Sequence, residues 1–359
     1  MARLLLLAPL AVALALGCGG FRYGDMQILW YRIRTSLRAV MAVYTLPDKH
    51  VQDFLKSYDL FELEQVTGKN NEAANTVNYY QVVNHLCAVG EVEKMYIPPV
   101  MDLNVGIFSN QMLWEEKGMA DKLGVGTGSK VLDVGCGRGR IAHHVASYTG
   151  AHVTGLNIDS TQLSMAKEHA NLTGLLDKQL NFVQGNYNDP LPFPDENFDA
   201  LYQVQVLTYT VDAVALAKEM YRVLKPGAKL SFLDYVQLPD YDETNPKHLD
   251  LLKKVKPVLG AVWTPKPTDF TDALEKAGFR VLSSEEASVG GHQWPLIQNA
   301  ESFFVPVRKL LDFLTSMHLI PKHFQILFER LTRDGEAFIE ADKMGLFTTS
   351  WQIIAQKPA

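Results

Sequence analysis

From Lys130 onward the chain alternates short apolar, β-branched runs with longer segments whose apolar residues recur every three or four positions. That alternation of periods predicts strand, helix, strand units building a parallel sheet. The strands are expected at KVLDV, HVTGLN, NFVQGN, FDALYQVQV, KLSFLDYV and RVLSSEEAS, with FTTSWQIIAQKP as a last strand near residue 359. Helices fit between them at RIAHHVASY, at STQLSMAKEHANL with Ser160 as N-cap, and at AVALAKEMYRVL closed by Pro226-Gly227. Upstream, ANTVNYYQVVNHL and SNQMLWEEKGMADKLGV read as helices. Further helices are expected from Ala300 to Asp342, where Phe303, Phe304, Val307, Leu310, Leu311, Leu314 and Met317 make one wide apolar face. That face either packs on the core or forms a lid that touches lipid. The fold class is therefore α/β: a mostly parallel seven-stranded sheet with helices on both faces, N-terminal helices and a C-terminal helical and strand module.

The pattern changes at the N-terminus. No charge occurs from Leu4 to Phe21, a run on the order of the shortest helix that crosses a bilayer core. Arg3 precedes it, while Arg22, Arg32, Arg34 and Arg38 follow, so the positive-inside tendency places the body on the cytosolic side. Residues 1–21 are expected to be a signal anchor or signal segment, on the endoplasmic reticulum or another intracellular membrane. The next stretch, MQILWYRIRTSLRAVMAVY, suits either an interfacial helix or one packed on the domain. The expected division is 22–77 as an N-terminal helical region, 78–290 as the ligand-binding domain and 291–359 as the C-terminal module.

Charge and cysteine content narrow the partners. A net charge of −6 with mixed signs leaves no basic stripe to track a phosphate backbone, which argues against nucleic acid. Cys18, Cys87 and Cys136 have no metal-ligand spacing and are odd in number, so neither a metal site nor a disulfide framework is expected. Nothing in the sequence specifies an oligomeric state.

The chemistry gathers after the first strand. VLDVGCGRG ends an apolar run on Asp133 and then places glycine at 135, 137 and 139, with Cys136 inside the loop. In a parallel sheet the ligand lies beyond the carboxyl ends of the strands, and glycine lets backbone come close to it. The spacing G-x-G-x-G is a poor match to the dinucleotide fingerprint G-x-G-x-x-G. At the end of the second strand, GLNID puts Asn157 where a nucleotide site of this architecture has a ribose-binding carboxylate, with Asp159 two residues on. Asn186 in QGNYND can hydrogen-bond an adenine edge, with the Tyr187 ring beside it.

In order and spacing, VLDVGCGRGR, TGLNIDSTQL, PLPFPDENFDALY and YRVLKPG resemble the S-adenosylmethionine-dependent methyltransferases of the Rossmann-like class. More narrowly, TGLNIDSTQL with its Asn and Gln162, YQVQVLTYTVDAVALAKEMYRVLKPG, LDYVQLPDYDETNPKH, NYYQVV and the C-terminal IPKHFQILFERLTRDGEAFIEADKMGLFTTSWQIIAQKP resemble the sterol C-24 methyltransferases. The likeness runs from about Asn78 to the last residues. It implies S-adenosylmethionine as cofactor, held by Asp133, Gly135, Cys136, Gly137, Gly139, Asn157, Ile158, Gln162, Asn186, Tyr187 and Gln203. It also implies a sterol or other lipid substrate near Tyr79 and Tyr80, catalysis by Tyr209, Asp234 and Gln205, and association with a membrane.

The acceptor half departs from that family. Its Tyr-Glu-Tyr-Gly-Trp-Gly run falls on CAVGEV at 87–92, and its acid and histidine after the fourth strand fall on Gln205 and Tyr209. A sulfonium methyl needs no base for attack by an alkene, but the resulting carbocation needs aromatic faces and a final base. Tyr79, Tyr80, Tyr96, Tyr202 and Tyr209 can supply faces, and Asp234 and Asp102 carboxylates. Loss of the aromatic run suggests a different carbon, such as C-4 beside a 3-keto group, where an enolate attacks and Gln205 or a tyrosine hydroxyl holds the oxygen. Two other readings stay open: N-, O- or C-methylation of another lipid such as a phosphobase, quinone or tocopherol, and a non-catalytic protein that binds cofactor or sterol.

Overall fold

The computed structural model describes residues 26–68, 72–89 and 94–359, so the apolar run of the first 21 residues and part of the 87–92 segment lie outside it. Among the described residues, the longer helices before the sheet are α1 (Met26–Tyr44), α2 (Asp48–Ser57), α3 (Glu72–Val89) and α4 (Ile107–Leu113). The last runs on through a π-helical stretch, Trp114–Ala120. Among the described residues no helix is long and apolar enough to cross a membrane.

Seven strands follow: β1 (Lys130–Val134), β2 (His152–Asn157), β3 (Leu180–Gln184), β4 (Phe198–Val204), β5 (Leu224–Gln237), β6 (Arg280–Glu286) and β7 (Phe347–Gln356). They form one sheet in the order β3-β2-β1-β4-β5-β7-β6. β7 runs antiparallel to both β5 and β6, and the remaining pairs are parallel. The connecting helices are α5 (Arg140–Thr149), α6 (Ser160–Leu172), α7 (Ala213–Val223), α8 (Pro246–Leu259) and α9 (Pro267–Lys276). Their apolar stripes bury two layers of core, one around Leu132, Leu201 and Leu230 and the other around Val131, Tyr202 and Leu180.

Two local expectations are corrected by the hydrogen bonding. The N-cap of α6 is Asp159, one residue before Ser160, because its carboxylate accepts the N–H groups of Thr161 (2.7 Å) and Gln162 (3.4 Å). Helix α7 stops at Val223, before Pro226-Gly227. Leu224 is already extended and paired with Phe198, and the Lys357 ammonium covers the carbonyls of Leu224 (2.7 Å) and Tyr221 (3.0 Å) that the helix leaves open.

Of the two readings for MQILWYRIRTSLRAVMAVY, the structure shows a helix packed on the domain. Tyr31, Ser36, Ala39, Val40 and Val43 are buried, and Arg34 reaches Glu168 of α6 at 2.6 Å. Trp30 stays 66% exposed. The C-terminal helices α10 (Trp294–Ser316), α11 (His323–Thr332) and α12 (Gly335–Lys343) precede β7. On α10 the expected apolar face divides. Leu311 is buried, Phe304 meets Phe328 edge-on at 5.9 Å, and Val307 and Leu314 pack inward, while Leu310 and Met317 are exposed (39% and 58%), as is Phe313 beside that face (58%). Val40 and Val43 of α1, Phe54 of α2, Tyr79 of α3, Leu311 of α10 and Leu327 of α11 share one core, so the N-terminal helices pack against α10 and α11.

A polar clasp holds the start of α10. Gln293 is fully buried; its carbonyl accepts Thr349 N–H (3.0 Å) and its amide donates to Pro98 O (2.8 Å). Asp342 accepts the N–H groups of Gln293 (2.9 Å) and Trp294 (2.8 Å) at the start of α10. Replacing a buried carboxylate that satisfies two backbone donors leaves both orphaned. Asp342→Ala is expected to lower unfolding free energy by roughly 2–4 kcal/mol, read from the urea midpoint at unchanged slope; a loss under about 1 kcal/mol would contradict the clasp.

Candidate active site

Strand β1 ends at Val134, and the chain then turns sharply enough that Gly135 and Cys136 both donate their N–H groups to the same carbonyl, Leu156 O of β2 (2.8 and 3.0 Å). The loop is thereby tied to the neighbouring strand at the mouth of the sheet. Gly135 and Gly139 have positive φ (79° and 68°) and no room for a side chain: a Cβ would lie 2.7 Å from Val206 Cγ1 in the first case and 2.7 Å from the Phe182 ring in the second. Gly137 differs. Its nearest neighbour would be Gln162 Oε1 at 3.9 Å, so this residue faces open space. That space is a cavity of about 620 Å³, within the range of small-ligand sites.

The cavity crosses the carboxyl ends of four strands. Asn186, Tyr187 and Asp189 follow β3; Asn157 and Ile158 end β2; Gly135, Cys136 and Gly137 follow β1; Gln205, Val206 and Tyr209 follow β4. Tyr80 of α3 and Gln162 of α6 complete the wall. Eleven of the expected site residues thus converge: Gly135, Cys136, Gly137, Asn157, Ile158, Gln162, Asn186, Tyr187, Gln205, Tyr209 and Tyr80. The Cys136 thiol lies under the loop, and burial pushes its pKa well up, so it is no nucleophile.

Five expected residues are placed behind the wall. Gly139 packs on Phe182 as described. Asp133 is buried and accepts a hydrogen bond from Tyr202 Oη (3.0 Å); burial pushes its pKa up to about 7. Gln203, fully buried, accepts Val206 N–H (3.3 Å). Asp234 accepts Leu207 N–H (3.0 Å) and Tyr235 N–H (2.9 Å), which shapes the turn that carries Tyr209; burial raises it to about 7 despite those donors. Tyr79 sits in an aromatic cluster with Phe54 (5.8 Å, stacked), Tyr58 and Phe61 and anchors α3, leaving the cavity side to its neighbour Tyr80. Asp102 faces away too, its carboxylate accepting from Asn104.

Two of the expected catalytic groups reach the cavity with their polar atoms already engaged. Gln205 is a non-glycine residue at φ 53°, a backbone conformation that costs on the order of 1–3 kcal/mol. Its amide donates to Ile97 O (2.7 Å) and Thr349 O (2.8 Å), and its carbonyl accepts Ile97 N–H (3.1 Å). It acts as a strut and has no N–H left to hold a substrate oxygen. The Tyr209 hydroxyl donates to Gly260 O (2.7 Å), and its ring meets that of Tyr80 edge-on at 6.4 Å. These rings contribute faces.

On the opposite wall, Asn157 donates to Gln162 Oε1 (2.7 Å), Gln162 donates to Asn84 Oδ1 (2.8 Å), and Asn84 donates to Asp159 Oδ2 (3.2 Å). The chain of bonds engages the Asn157 amide N–H and leaves its carbonyl as the atom that could accept a ribose hydroxyl. It also explains why Asp159 cannot substitute: its two oxygens serve the α6 cap and Asn84. Sequence reasoning misses Asn84 because its position on α3 carries no motif. Tyr96, expected to offer an aromatic face, lines the cavity too, and Lys94 and Glu72 line it without having been expected there. The donor and acceptor set fits S-adenosylmethionine: a glycine face for close approach, an acceptor for the ribose at Asn157, and an amide at Asn186 for the adenine.

Gly137→Ala should fold, with a modest loss from its positive φ of about 1 kcal/mol, but weaken S-adenosylmethionine binding at least tenfold by calorimetry. Gly135→Ala should instead lower the melting temperature, since Val206 must move; equal melting temperatures for the two variants would refute the assignment.

The same segment is recognised by comparison with known proteins. Residues 132–232 match the family model described as a methyltransferase domain. The chain is 28% identical over 354 residues to sterol 24-C-methyltransferase ERG6B of Gibberella zeae, covering 90% of this chain and 92% of that protein. It is 30% identical over 261 residues to sterol 24-C-methyltransferase ERG6A of the same organism, covering 67% and 68%. Among solved structures, the [4+2]-cyclase SpnF superposes with a TM-score of 0.63 at 18% identity, covering 83% of this chain and 98% of that one, a likeness of fold alone. With the cavity at the carboxyl ends of the strands and relatives matched on both sides of it, the chain is an S-adenosylmethionine-dependent methyltransferase and belongs to the sterol methyltransferase family.

Proposed function

We propose that the protein transfers the cofactor's methyl group to a carbon atom of a sterol, and that the carbon is a ring position beside a 3-keto group. The observation that carries the first part is the continuity of the cavity: the glycine loop and Asn157 share it with the aromatic faces of Tyr80 and Tyr209. A planar, largely apolar acceptor suits that wall, and the relatives named above act on sterols. S-adenosylmethionine, when bound, supplies an electrophilic methyl on sulfonium. The chain's own contribution is to orient the two reactants.

The second part rests on what the β4 turn lacks. Methylating a side-chain alkene leaves a tertiary carbocation, which must lose a C–H proton to a positioned base. Here Gln205 is an amide with its N–H groups bonded to backbone, the Tyr209 hydroxyl is bonded to Gly260 O, and Asp234 lies beneath the turn, bonded to backbone N–H groups. An enol makes a smaller demand. Its C=C pair forms the new C–C bond while the S–CH3 pair returns to sulfur, and the protonated ketone that results gives its O–H proton to water. Incubation with S-adenosylmethionine and a 3-keto sterol should give a product 14 mass units heavier (one CH2), its new methyl placed on ring A by fragmentation. Reaction of a side-chain alkene sterol only would overturn the ring assignment, and reaction of neither would overturn the sterol reading.

We infer also that the protein works at the cytosolic face of the endoplasmic reticulum or another intracellular membrane. Supporting this are the apolar run before Phe21, the arginines that follow it, and the exposed Trp30, Phe313 and Met317. The full chain should co-sediment with phosphatidylcholine vesicles, and Phe313→Ser with Met317→Ser should reduce the bound fraction severalfold. Unchanged binding in the double variant would remove α10 from the contact.

A further inference from the structure

At the β1 end of the cavity, away from Asn186, stands a compact group of charged side chains that the methyl-transfer chemistry does not use. Glu115, on the π-helical stretch and 1% exposed, accepts from Tyr96 Oη (2.7 Å), from His144 Nδ1 (2.7 Å) and from Lys94 Nζ (2.5 Å). His144, one turn into α5 from the glycine loop, places its other ring nitrogen 3.0 Å from Glu116 Oε1. Burial opposes charge on that imidazole, yet its hydrogen bond to Glu115 overcomes the penalty and its pKa is raised. Each ring nitrogen thus meets a carboxylate, Nδ1 that of Glu115 and Nε2 that of Glu116.

That accounting leaves Lys94 in excess. With Lys94 removed, Glu115 keeps two partners, Tyr96 Oη and His144 Nδ1, so its buried carboxylate is not left unpaired. Lys94 is 13% exposed at its side chain and lines the cavity together with Gly135 and Gly137. An ammonium has three protons; Glu115 takes one, and the nitrogen lies 3.3 Å from His144 Nδ1, whose proton is directed to Glu115. A cation on the wall of a ligand cavity favours an anion inside it.

The strand order says which anion. Asn186 and Asn157, the adenine and ribose partners, stand at the ends of β3 and β2, and the sheet continues through β1 to β4. A nucleoside laid in that direction runs its sulfur-bearing tail past the glycine loop toward Lys94. The tail of S-adenosylmethionine ends in a carboxylate and an ammonium. We propose that Lys94, steered by Glu115, is the specificity-determining residue for the cofactor's carboxylate, and that Glu115, His144 and Tyr96 are the positioning frame that holds it. This rests on the S-adenosylmethionine reading of the cavity and extends it to a residue outside every motif of the sequence.

The test is a thermodynamic cycle with two ligands that differ only by the carboxylate, S-adenosylhomocysteine and its decarboxylated analogue, each titrated by calorimetry into the full chain and into Lys94→Gln and Lys94→Arg. In the unsubstituted protein, loss of the ligand carboxylate should cost at least tenfold in affinity. In Lys94→Gln the two ligands should bind within about twofold of each other, with the decarboxylated ligand bound as in the parent, and Lys94→Arg should recover most of the discrimination. A Lys94→Gln protein that still discriminates tenfold overturns the proposal and hands the carboxylate to another group; so does a parent protein that does not discriminate. If Lys94→Gln fails to fold, Lys94→Arg decides: a folded arginine variant that discriminates less than twofold overturns it, and one that keeps discrimination supports it. Failure of the parent to bind S-adenosylhomocysteine at all would be a different result, removing the cofactor reading itself.

Discussion

The architecture of the site depends on one shared acceptor. Leu156 O takes the N–H groups of both Gly135 and Cys136, so the chain leaving β1 cannot continue along the sheet and must fold across the end of β2. That turn demands positive φ at Gly135, brings Gly137 to the open space, and directs α5 back over the sheet with Arg140 and His144 on its first turns. Close packing of Val206 and Phe182 against the loop leaves it no slack. A pocket with a rigid floor follows from a few hydrogen bonds that do not involve the ligand.

Around that floor the two halves of the cavity are built on different principles. The nucleoside half is polar and fully cross-linked: Asn157, Gln162, Asn84 and Asp159 satisfy one another, and what each leaves open is determined by what it has already donated. The acceptor half is aromatic and held from behind. Tyr79 and Asp234 fasten the helix and the turn that present Tyr80 and Tyr209, and Gln205 ties the rim to β7. Gln205 and Tyr209 stand at this edge with their polar atoms bonded to backbone groups, so what they supply there is mechanical support and aromatic surface.

Much of this architecture is legible in the amino-acid sequence. The strands, most helix limits and the position of the pocket follow from periodicity and from three glycines, because a buried parallel strand and an amphipathic helix write different repeats into the chain. The departures are local. Ser160 looks like a cap, but the carboxylate of Asp159 reaches the open N–H groups first. Pro226-Gly227 looks like a helix stop, yet pairing with β4 ends α7 earlier. Asp133, Asp234, Gln203 and Tyr79 have the places along strands and helices that site residues would have; burial puts them one layer behind it.

What the amino-acid order alone determined is the sheet, its cofactor edge and the kind of ligand that edge accepts, since these depend on short-range pattern and on backbone freedom at particular positions. What only the tertiary structure decided is which polar atoms are still available. Asn84 and Asp159 are 75 residues apart, Lys94 and Glu115 are 21 apart, and Gln205 and Thr349 are 144 apart. No periodicity links them; they meet because helices and strands bury apolar faces together, and the polar groups carried along must then satisfy each other in whatever space remains.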